Sequence, residues 1–211
     1  MYMPPPYAEN DLATLHAGMR EWSFATLVTS GAAGVHASHL PFLLDAQDDG
    51  LGVLTTHLSK KNAQYQDLRD GCEALVIFQG PHAYVSPSWY VRQSTFPTWN
   101  YCAIHAGGRP QLIEEHEALH AVLRRRVALY ETPVKGAWDF DAMPLAFVAP
   151  RLDMIAAMRI PLSTLEGKFK LNQDRSVEDR LGVIAALEAN GDAQAARVAR
   201  LMRSGINAIT Q

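Results

Sequence analysis

The sequence contains very little cysteine. Only Cys72 and Cys102 are present, and no CxxC pair occurs. Two cysteines are too few for a disulfide framework, and without a CxxC pair thiol redox chemistry has little support. Both cysteines lie in apolar runs typical of strands. We therefore expect buried, reduced thiols in a cytoplasmic protein.

Long hydrophobic runs and an excess of one charge are also missing. No apolar stretch reaches the roughly 18 residues of a membrane-spanning helix. The opening MYMPPPYAEND has prolines and acids where a signal peptide needs basic and then apolar residues. The formal charge of −3 argues against broad, charge-driven binding of nucleic acid. We expect a soluble protein with no membrane partner.

The glycine motifs of common nucleotide-binding folds are absent as well. Neither GxGxxG nor GxxxxGK[ST] occurs, so a Rossmann or P-loop site has no support. Strand patterns fill the first half and helical patterns the second, without regular βαβ alternation. This order predicts a mainly β protein with added helices (α+β) whose sheet is antiparallel. We expect one domain over residues 1–211 with a helical C-terminal extension at about residues 176–204, interrupted at Asn190 and Gly191.

A polar segment, TTHLSKKN at residues 55–62, stands where a predicted strand runs into a helix expected near residues 59–69. A helix N-terminus offers unpaired backbone N–H groups and a positive dipole end. Ser59 adds a hydroxyl, and Lys60 and Lys61 add positive charge. These groups suit a phosphate monoester. A solvated lysine pair beside a serine cap is the other interpretation, and the commoner one.

An aromatic block follows between residues 80 and 108. Four of its rings could form a wall for a flat heteroaromatic ligand, with Asn100 reading the ligand's polar edge: Trp89, Tyr90, Trp99 and Tyr101. An aromatic core is the alternative. Prolines, serines and threonines interleave with the rings, which a plain core seldom needs. Both interpretations remain open on the residues alone.

Three long strings resemble the signature of the PaiB-type family, described as FMN-binding negative transcriptional regulators. They are GPHAYVSPSWY (residues 80–90), PTWNY (97–101) and GKFKLNQ (167–173). MYMPPPY, ASHLPF (37–42) and HLSKKN (57–62) occur in the family's order. The resemblance covers nearly the whole chain.

The resemblance implies a bacterial FMN-binding protein with a flavin reductase-like split β-barrel. It also implies a homodimer with FMN at the subunit interface. Along the isoalloxazine ring it places His39, Leu40 and Pro41. Around the phosphate it places the segment that starts at Thr55, with His57, Ser59, Lys60, Lys61 and Asn62. Trp99 and Asn100 would approach the flavin, and Lys168, Lys170 and Gln173 would close the site. The family usually has alanine and arginine at the positions of Ser59 and Lys60, and lysine lacks arginine's bidentate geometry.

Several other interpretations compete with a regulator. An FMN-dependent oxidoreductase using NAD(P)H is the main alternative, because flavin chemistry belongs largely to the cofactor. His105, close to PTWNY, is a weak candidate for a proton donor there. Haem handling has less support, since split-barrel relatives that bind haem tend to supply a late histidine and none follows His120.

Two further motifs are weaker still. HEALH (residues 116–120) matches the HExxH zinc pattern, but the longer form with a third histidine fails, and a surface helix is the default. Arginines in the tail suggest DNA binding: Arg197, Arg200 and Arg203. Acidic neighbours dilute their charge, so the regulator role comes from the family and not from a visible DNA reader.

Overall fold

The computed structural model describes residues 1–136 and 138–207. These residues form nine strands: β1 (Ala8–Glu9), β2 (Phe24–Gly31), β3 (Gly34–Pro41), β4 (Leu43–Asp45), β5 (Val53–Ser59), β6 (Ala74–Val85), β7 (Thr98–Gly108), β8 (Gln111–Ile113) and β9 (Ile155–Lys170). They also form six helices: α1 (Leu12–Glu21), α2 (Gln64–Arg69), α3 (His116–Val134), α4 (Leu145–Leu152), α5 (Val177–Ala189) and α6 (Ala193–Asn207). Over this described part, no helix is both long and apolar enough to cross a membrane.

The strands form a mostly antiparallel sheet. They are hydrogen-bonded in the order β3-β2-β6-β7-β9-β5-β4, and β1 and β8 also pair with β9. The pairings of β2 with β3 and β6, and of β9 with β1, β5 and β8, are antiparallel. The predicted mainly β class with added helices is therefore confirmed.

The hairpin of β2 and β3 shows how local sequence determines this pairing. Alternate residues of β2 are buried, which fixes the face that it turns inward: Ala25, Leu27 and Thr29. The turn closes with Gly34 opposite Gly31, and Gly34 has a φ of 109°, a conformation that favours glycine. β3 remains half-buried or exposed along its length and lies at the end of the strand order.

The chain divides into two compact units. Unit 1 comprises Met1–Gly18, Gln79–Ile104 and the described residues from Glu166 onward, and unit 2 comprises Met19–Phe78 and His105–Leu165. Unit 2 has a core of fully buried side chains that includes Leu27, Leu54, Phe78, Met158 and Ile160. In unit 1 the helical tail is buried through Val183, Ile184, Leu187, Val198 and Met202.

The two tail helices end and begin where the sequence predicts. The Ser176 hydroxyl accepts the Asp179 backbone N–H at 3.2 Å and caps α5. Gly191 follows α5 with a φ of 76°, and Asp192 accepts the Ala195 N–H at 2.9 Å, which starts α6. The predicted break at Asn190 and Gly191 is therefore present.

Two boundaries differ from the sequence-based prediction. The helix expected near residues 59–69 begins only at Gln64, because the preceding residues form hydrogen-bonded turns. The strand expected at residues 154–162 continues through GKFK to Lys170, where β1 pairs with it (Ala8 opposite Lys168). Pairing with the N-terminal arm is a long-range interaction that local pattern does not reveal.

A close approach in unit 1 gives the first testable prediction. A Cβ atom added at Gly182 of α5 would lie 2.3 Å from the backbone oxygen of Trp89. We expect Gly182→Ala to lower the free energy of unfolding by about 1–3 kcal/mol through overpacking, although alanine favours helix. Gly205→Ala in α6 is the control, since its Cβ would meet Arg180 at an ordinary 3.5 Å. Chemical denaturation checks both, and equal effects would contradict the account.

Candidate functional site

Strand β5 in unit 2 carries three of the predicted site residues on one face, because alternate residues of a strand point the same way. Thr55 is buried, His57 is half-buried and Ser59 is exposed. Along this face the polar side chains thus run from the interior to the surface. The strand ends at Ser59, so the lysines that follow lie in the connection to α2.

The backbone of this connection is already hydrogen-bonded. The Lys60 N–H donates to the Met154 oxygen at 2.9 Å, the Lys61 N–H to the Ser59 hydroxyl at 3.2 Å, and the Asn62 N–H to the Ser59 carbonyl at 2.9 Å. The side chain of Asn62 accepts the Gln64 N–H at 2.9 Å and so starts α2. The expected phosphate cradle of free backbone amides is therefore wrong here. The side chains of this segment are therefore the groups that could donate hydrogen bonds to a phosphate.

The side-chain donors of this segment fit a phosphate monoester. Ser59 accepts one hydrogen bond and keeps its own O–H to donate. Lys61 is exposed, and the half-buried Lys60 lies 3.4 Å from a Glu114 carboxylate oxygen. Hydrogen bonding from Tyr65 and then the Lys60 ammonium lower the pKa of Glu114. The segment thus offers two ammonium groups and a hydroxyl, and the ammonium of Lys60 is partly engaged by Glu114.

The end of β3 lies against this segment. The Thr56 hydroxyl donates to the Pro41 oxygen at 2.8 Å, and the Asn62 amide donates to the Ser38 hydroxyl at 2.8 Å. His39 is exposed, and its Nδ1 lies 3.0 Å from the Thr26 hydroxyl. Leu40 is half-buried, like Pro41. Within unit 2 the structure therefore brings Pro41 against Thr56 and Asn62 against Ser38, so that the two predicted segments adjoin through their flanking residues.

His57 has an unusual neighbour on α3. A guanidinium nitrogen of Arg126 contacts His57 Nδ1. Burial, and then the charge of Arg126, lower the pKa of His57 to about 4. His57 is therefore a neutral imidazole at neutral pH.

This lowered pKa predicts a dependence of stability on pH. The unfolded chain takes up a proton at His57 near pH 6.5, whereas the folded protein does so only near pH 4. The contribution is fully present above pH 6.5 and is lost as the pH falls towards 4. We expect the thermal midpoint of the wild type to fall more across this window than that of His57→Gln. Parallel pH profiles of the two proteins would exclude the lowered pKa.

The other predicted residues lie in unit 1. Trp99 on β7 is 54% exposed, and its ring centroid lies 6.0 Å from that of Tyr84 and 6.2 Å from that of His82. Tyr84 and His82 are exposed residues of β6. These three rings form a surface group, so Trp99 does not belong to a plain apolar core.

Asn100 points to the opposite face of β7 and is fully buried. Its amide nitrogen donates to Asn172 Oδ1 and lies 3.3 Å from the sulfur of Met202, while Asn172 donates to the Tyr90 hydroxyl at 2.8 Å. The side-chain oxygen of Asn100 is buried and has no hydrogen-bond partner among the described residues. The surroundings of Asn100 are those of a buried polar network, and its predicted contact with flavin stays a prediction.

The three residues expected to close the site each bind the backbone of unit 1. Lys168 donates to the Tyr2 oxygen at 3.0 Å, and Lys170 donates to the Trp99 oxygen at 3.1 Å and to the Thr98 hydroxyl. Gln173 accepts the Leu171 N–H at 2.7 Å. An ammonium has three donors, so these bonds leave the lysines capacity for a ligand. Their contact with FMN likewise stays a prediction.

The histidines of HEALH have separate partners. His116 Nε2 lies 2.9 Å from a carboxylate oxygen of Asp153, and the His120 ring stacks on Phe140 at 4.8 Å. Over residues 1–136 and 138–207, no group of three histidine, cysteine or acidic side chains could hold a metal ion. His105 is half-buried on the same face of β7 as Trp99, and its role as a proton donor stays a prediction.

Sequence reasoning missed Arg126 and Ser38. Arg126 belongs to a run of three arginines on α3 and resembles a residue of a solvated helix face. Only the packing of α3 against β5 distinguishes it from Arg124 and Arg125, which pair with Asp141 and Asp45. Ser38 stands in the ASHLPF string, but the sequence does not show that it meets Asn62.

Comparisons with known proteins identify the family to which the chain belongs. The family described as "Putative FMN-binding domain" matches residues 1–164. Protease synthase and sporulation protein PAI 2 from Bacillus subtilis (strain 168) is 31% identical over 202 residues, which cover 96% of this chain and 96% of that protein. An uncharacterized protein from Emericella nidulans, AN0679, is 28% identical and covers 96% of each chain.

Solved structures support the fold. The FAD and haem binding protein from Mycobacterium smegmatis has a TM-score of 0.58 at 15% identity and covers 88% of this chain and 81% of its own. The flavocytochrome Anf3 from Azotobacter vinelandii has a TM-score of 0.53 at 14% identity, with 77% and 69% covered. With the mostly antiparallel sheet, these likenesses confirm the split barrel. The chain belongs to the FMN-binding domain family that the PaiB-type resemblance predicts, and FMN is its cofactor.

Proposed function

We propose that this protein is an FMN-binding regulatory protein of the PaiB type that works as a homodimer. In this proposal residues 59–62 hold the FMN phosphate and residues 39–41 lie along the isoalloxazine ring. The observation that carries it is a pair of hydrogen bonds: one joins Pro41 of the ring segment to Thr56, three residues before Ser59, and the other joins Asn62 of the phosphate segment to Ser38, the residue before His39. These two contacts support a site in which phosphate donors and a ring-contacting strand lie side by side.

The exposed surface of β2 and β3 supports a homodimer. Phe24 is 69% exposed and Val35 71% exposed, and β3 lies at the end of the strand order. Exposed apolar side chains beside an unpaired strand edge are commonly covered by another chain. A second copy that covers Phe24 would lie close to residues 39–41, because Phe24 is opposite Pro41 in the hairpin. Light scattering on the purified protein tests this, and a monomer at micromolar concentration would refute the dimer.

The regulatory part of the proposal rests on the relative from Bacillus subtilis, whose name concerns protease synthesis and sporulation. The likeness extends over 96% of both chains, including the tail helices. In the tail, Arg203 donates to Glu188 at 2.8 Å, so α6 is not a plain basic DNA reader. We therefore place regulation in the flavin site, where redox state or a bound metabolite changes the protein.

A cavity in unit 2 favours the second candidate, an FMN-dependent oxidoreductase using NAD(P)H. It has a volume of about 690 Å³ and is lined by Phe42 and Leu43, which follow the proposed ring segment, and by Arg20 and Arg125. This volume suits a small organic substrate, and arginines suit an anionic one. Bound FMN would supply hydride or electron transfer, and the protein would position the substrate.

One pair of assays separates the two candidates. NAD(P)H oxidation by the FMN-loaded protein is measured with and without an electron acceptor. Binding to the DNA upstream of the protein's own gene is measured over a range of salt. The regulatory proposal expects slow oxidation and saturable DNA binding that weakens steeply with salt. Rapid turnover, on the order of 1 per second or faster, with no specific DNA binding would favour the enzyme.

A further inference from the structure

Arg126 of α3 is the cationic group beside His57. It forms no ion pair with a carboxylate among residues 1–136 and 138–207, whereas its neighbours Arg124 and Arg125 each have one. Its contact is instead with His57 Nδ1. Burial lowers the pKa of Arg126, yet a guanidinium stays protonated near neutral pH. Because the half-buried guanidinium of Arg126 has no carboxylate partner among these residues, we look for its role in the contact with His57.

The chemistry of this contact determines the state of His57. A guanidinium has five N–H donors and no acceptor, so the histidine nitrogen that faces it must accept. In a neutral imidazole the proton then sits on Nε2. An imidazolium would turn an N–H towards the N–H of Arg126 and bring two positive charges together. The contact therefore selects one tautomer and one charge.

We infer that Arg126 is a positioning residue that fixes His57 as the neutral Nε2–H tautomer, so that His57 presents an uncharged N–H donor to an oxygen of bound FMN. The tautomer is a property of this chain alone. The donation to FMN rests on the proposed function. Arg126 acts through His57, and the phosphate charge is met by the lysines of residues 59–62.

The surroundings of His57 leave Arg126 as the nearby cation. Both side chains line a cavity of about 210 Å³, together with Tyr130, Glu131 and two apolar side chains. The titratable groups that share this space with His57 are all on α3. Across the sheet, the β9 residue in register with His57 is Ala157, which carries no charge. A change in His57 on mutation of Arg126 is thus attributable to Arg126.

The first test is the tautomer itself, read from imidazole ¹⁵N shifts of histidine-labelled protein, with His57→Gln assigning the signal. The wild type is expected to show the Nε2–H form from pH 8 to pH 5.5. Arg126→Met keeps the stem but removes the donor, so His57 should become a tautomer mixture that titrates closer to an ordinary histidine. Arg126→Gln retains an N–H donor and should retain the tautomer. An Nδ1–H signal in the wild type, or no change in Arg126→Met, would overturn the inference.

Arg125→Met is the matched control. It removes the same charge from the adjacent position, where Arg125 is paired with Asp45 and does not contact His57. The His57 signal should be unchanged in this variant. If Arg125→Met alters His57 as much as Arg126→Met does, a general effect of helix charge replaces the specific contact.

The second test is FMN affinity. Arg126→Met is expected to raise the Kd by about tenfold, the loss of roughly one hydrogen bond, and Arg126→Gln should restore most of it. A wild type that does not bind FMN would refute the proposed site while leaving the tautomer result intact. A changed tautomer with unchanged Kd would overturn the donor role of His57. Circular dichroism confirms that each variant is folded, and the glutamine variant keeps the test valid if the methionine variant is not.

Discussion

Replacing both Lys60 and Lys61 with alanine is expected to raise the Kd for FMN by about 30- to 150-fold, equivalent to roughly 2–3 kcal/mol. The two ammonium groups and the Ser59 hydroxyl are the side-chain donors that residues 59–62 offer to a phosphate, because the Asn62 amide already donates to Ser38. The backbone amides of Lys60, Lys61 and Asn62 already have acceptors within the protein, so they cannot replace the lost charges. Quenching of FMN fluorescence on titration with protein measures the Kd.

Riboflavin provides the sharpest control, because it has the same ring and no phosphate. Its affinity should change less than about twofold in the double variant, within the scatter of a surface substitution. Arg124→Ala with Arg203→Ala removes equal charge from two exposed ion pairs and should leave FMN binding nearly unchanged. An equal loss of riboflavin and FMN affinity would show that the phosphate lies elsewhere.

Replacing Glu114 should have the opposite effect on FMN affinity. Its carboxylate lies 3.4 Å from the Lys60 ammonium and accepts the Tyr65 hydroxyl at 2.5 Å. Glu114→Gln releases Lys60 and removes a negative charge from beside the phosphate donors. FMN affinity should therefore rise by about two- to threefold, the size of an exposed ion pair. Weaker FMN binding by this variant would argue against Lys60 as a phosphate donor.

Asp67→Ala is expected to lower the free energy of unfolding by about 3 kcal/mol, because it removes one partner of a buried polar cluster. Asp67 is 4% exposed and joins α2 to the hairpin of β2 and β3. Its carboxylate accepts the Thr29 hydroxyl at 2.6 Å and contacts His36 Nδ1 at 2.9 Å. Without it, the buried Thr29 hydroxyl and the half-buried His36 ring lose a partner. Urea denaturation measures the change.

Asp70→Ala is the control for Asp67. Asp70 follows α2, is exposed and accepts the Gln66 amide at 2.8 Å, so its loss should cost less than about 0.5 kcal/mol. The hydrogen bonds from Thr29 and then His36 lower the pKa of Asp67. Its stabilisation is present above the ordinary aspartate pKa and is lost as the pH falls through the lowered value. Equal destabilisation by the two variants would contradict the proposed anchoring of α2.

The sequence predicts the ends of strands and helices well where the residues at those ends determine them. Gly34 and Gly191 mark a hairpin turn and a helix break, and the structure has both. Residues 59–62 are different, because a serine and two lysines after a strand resemble a helix N-terminus. The helix instead starts at Gln64, where Asn62 accepts its N–H and also reaches Ser38 on β3. That long-range bond is not encoded in the segment itself.

The candidate site was predictable in its residue types and less so in its contacts. Local pattern indicates that Lys60 and Lys61 could meet a phosphate, and the strings shared with the family indicate FMN. The contacts of the other predicted site residues depend on which side chains are buried. Asn100 and Trp99 are neighbours in sequence, yet β7 turns Asn100 into a buried polar network and Trp99 to the surface. Arg126 could not be told from Arg125 until α3 was placed against His57.

Gel filtration of FMN-loaded protein tests the proposed FMN-binding homodimer, with light scattering for mass and absorption near 450 nm (an approximate value for any flavin) for FMN. A homodimer with one site per chain should carry one FMN per chain in a species of twice the 23.3 kDa chain mass. With the Lys60 and Lys61 double variant, the flavin should leave the protein and elute later. Flavin that elutes with small molecules from the wild type, at protein concentrations of tens of micromolar, would contradict the account.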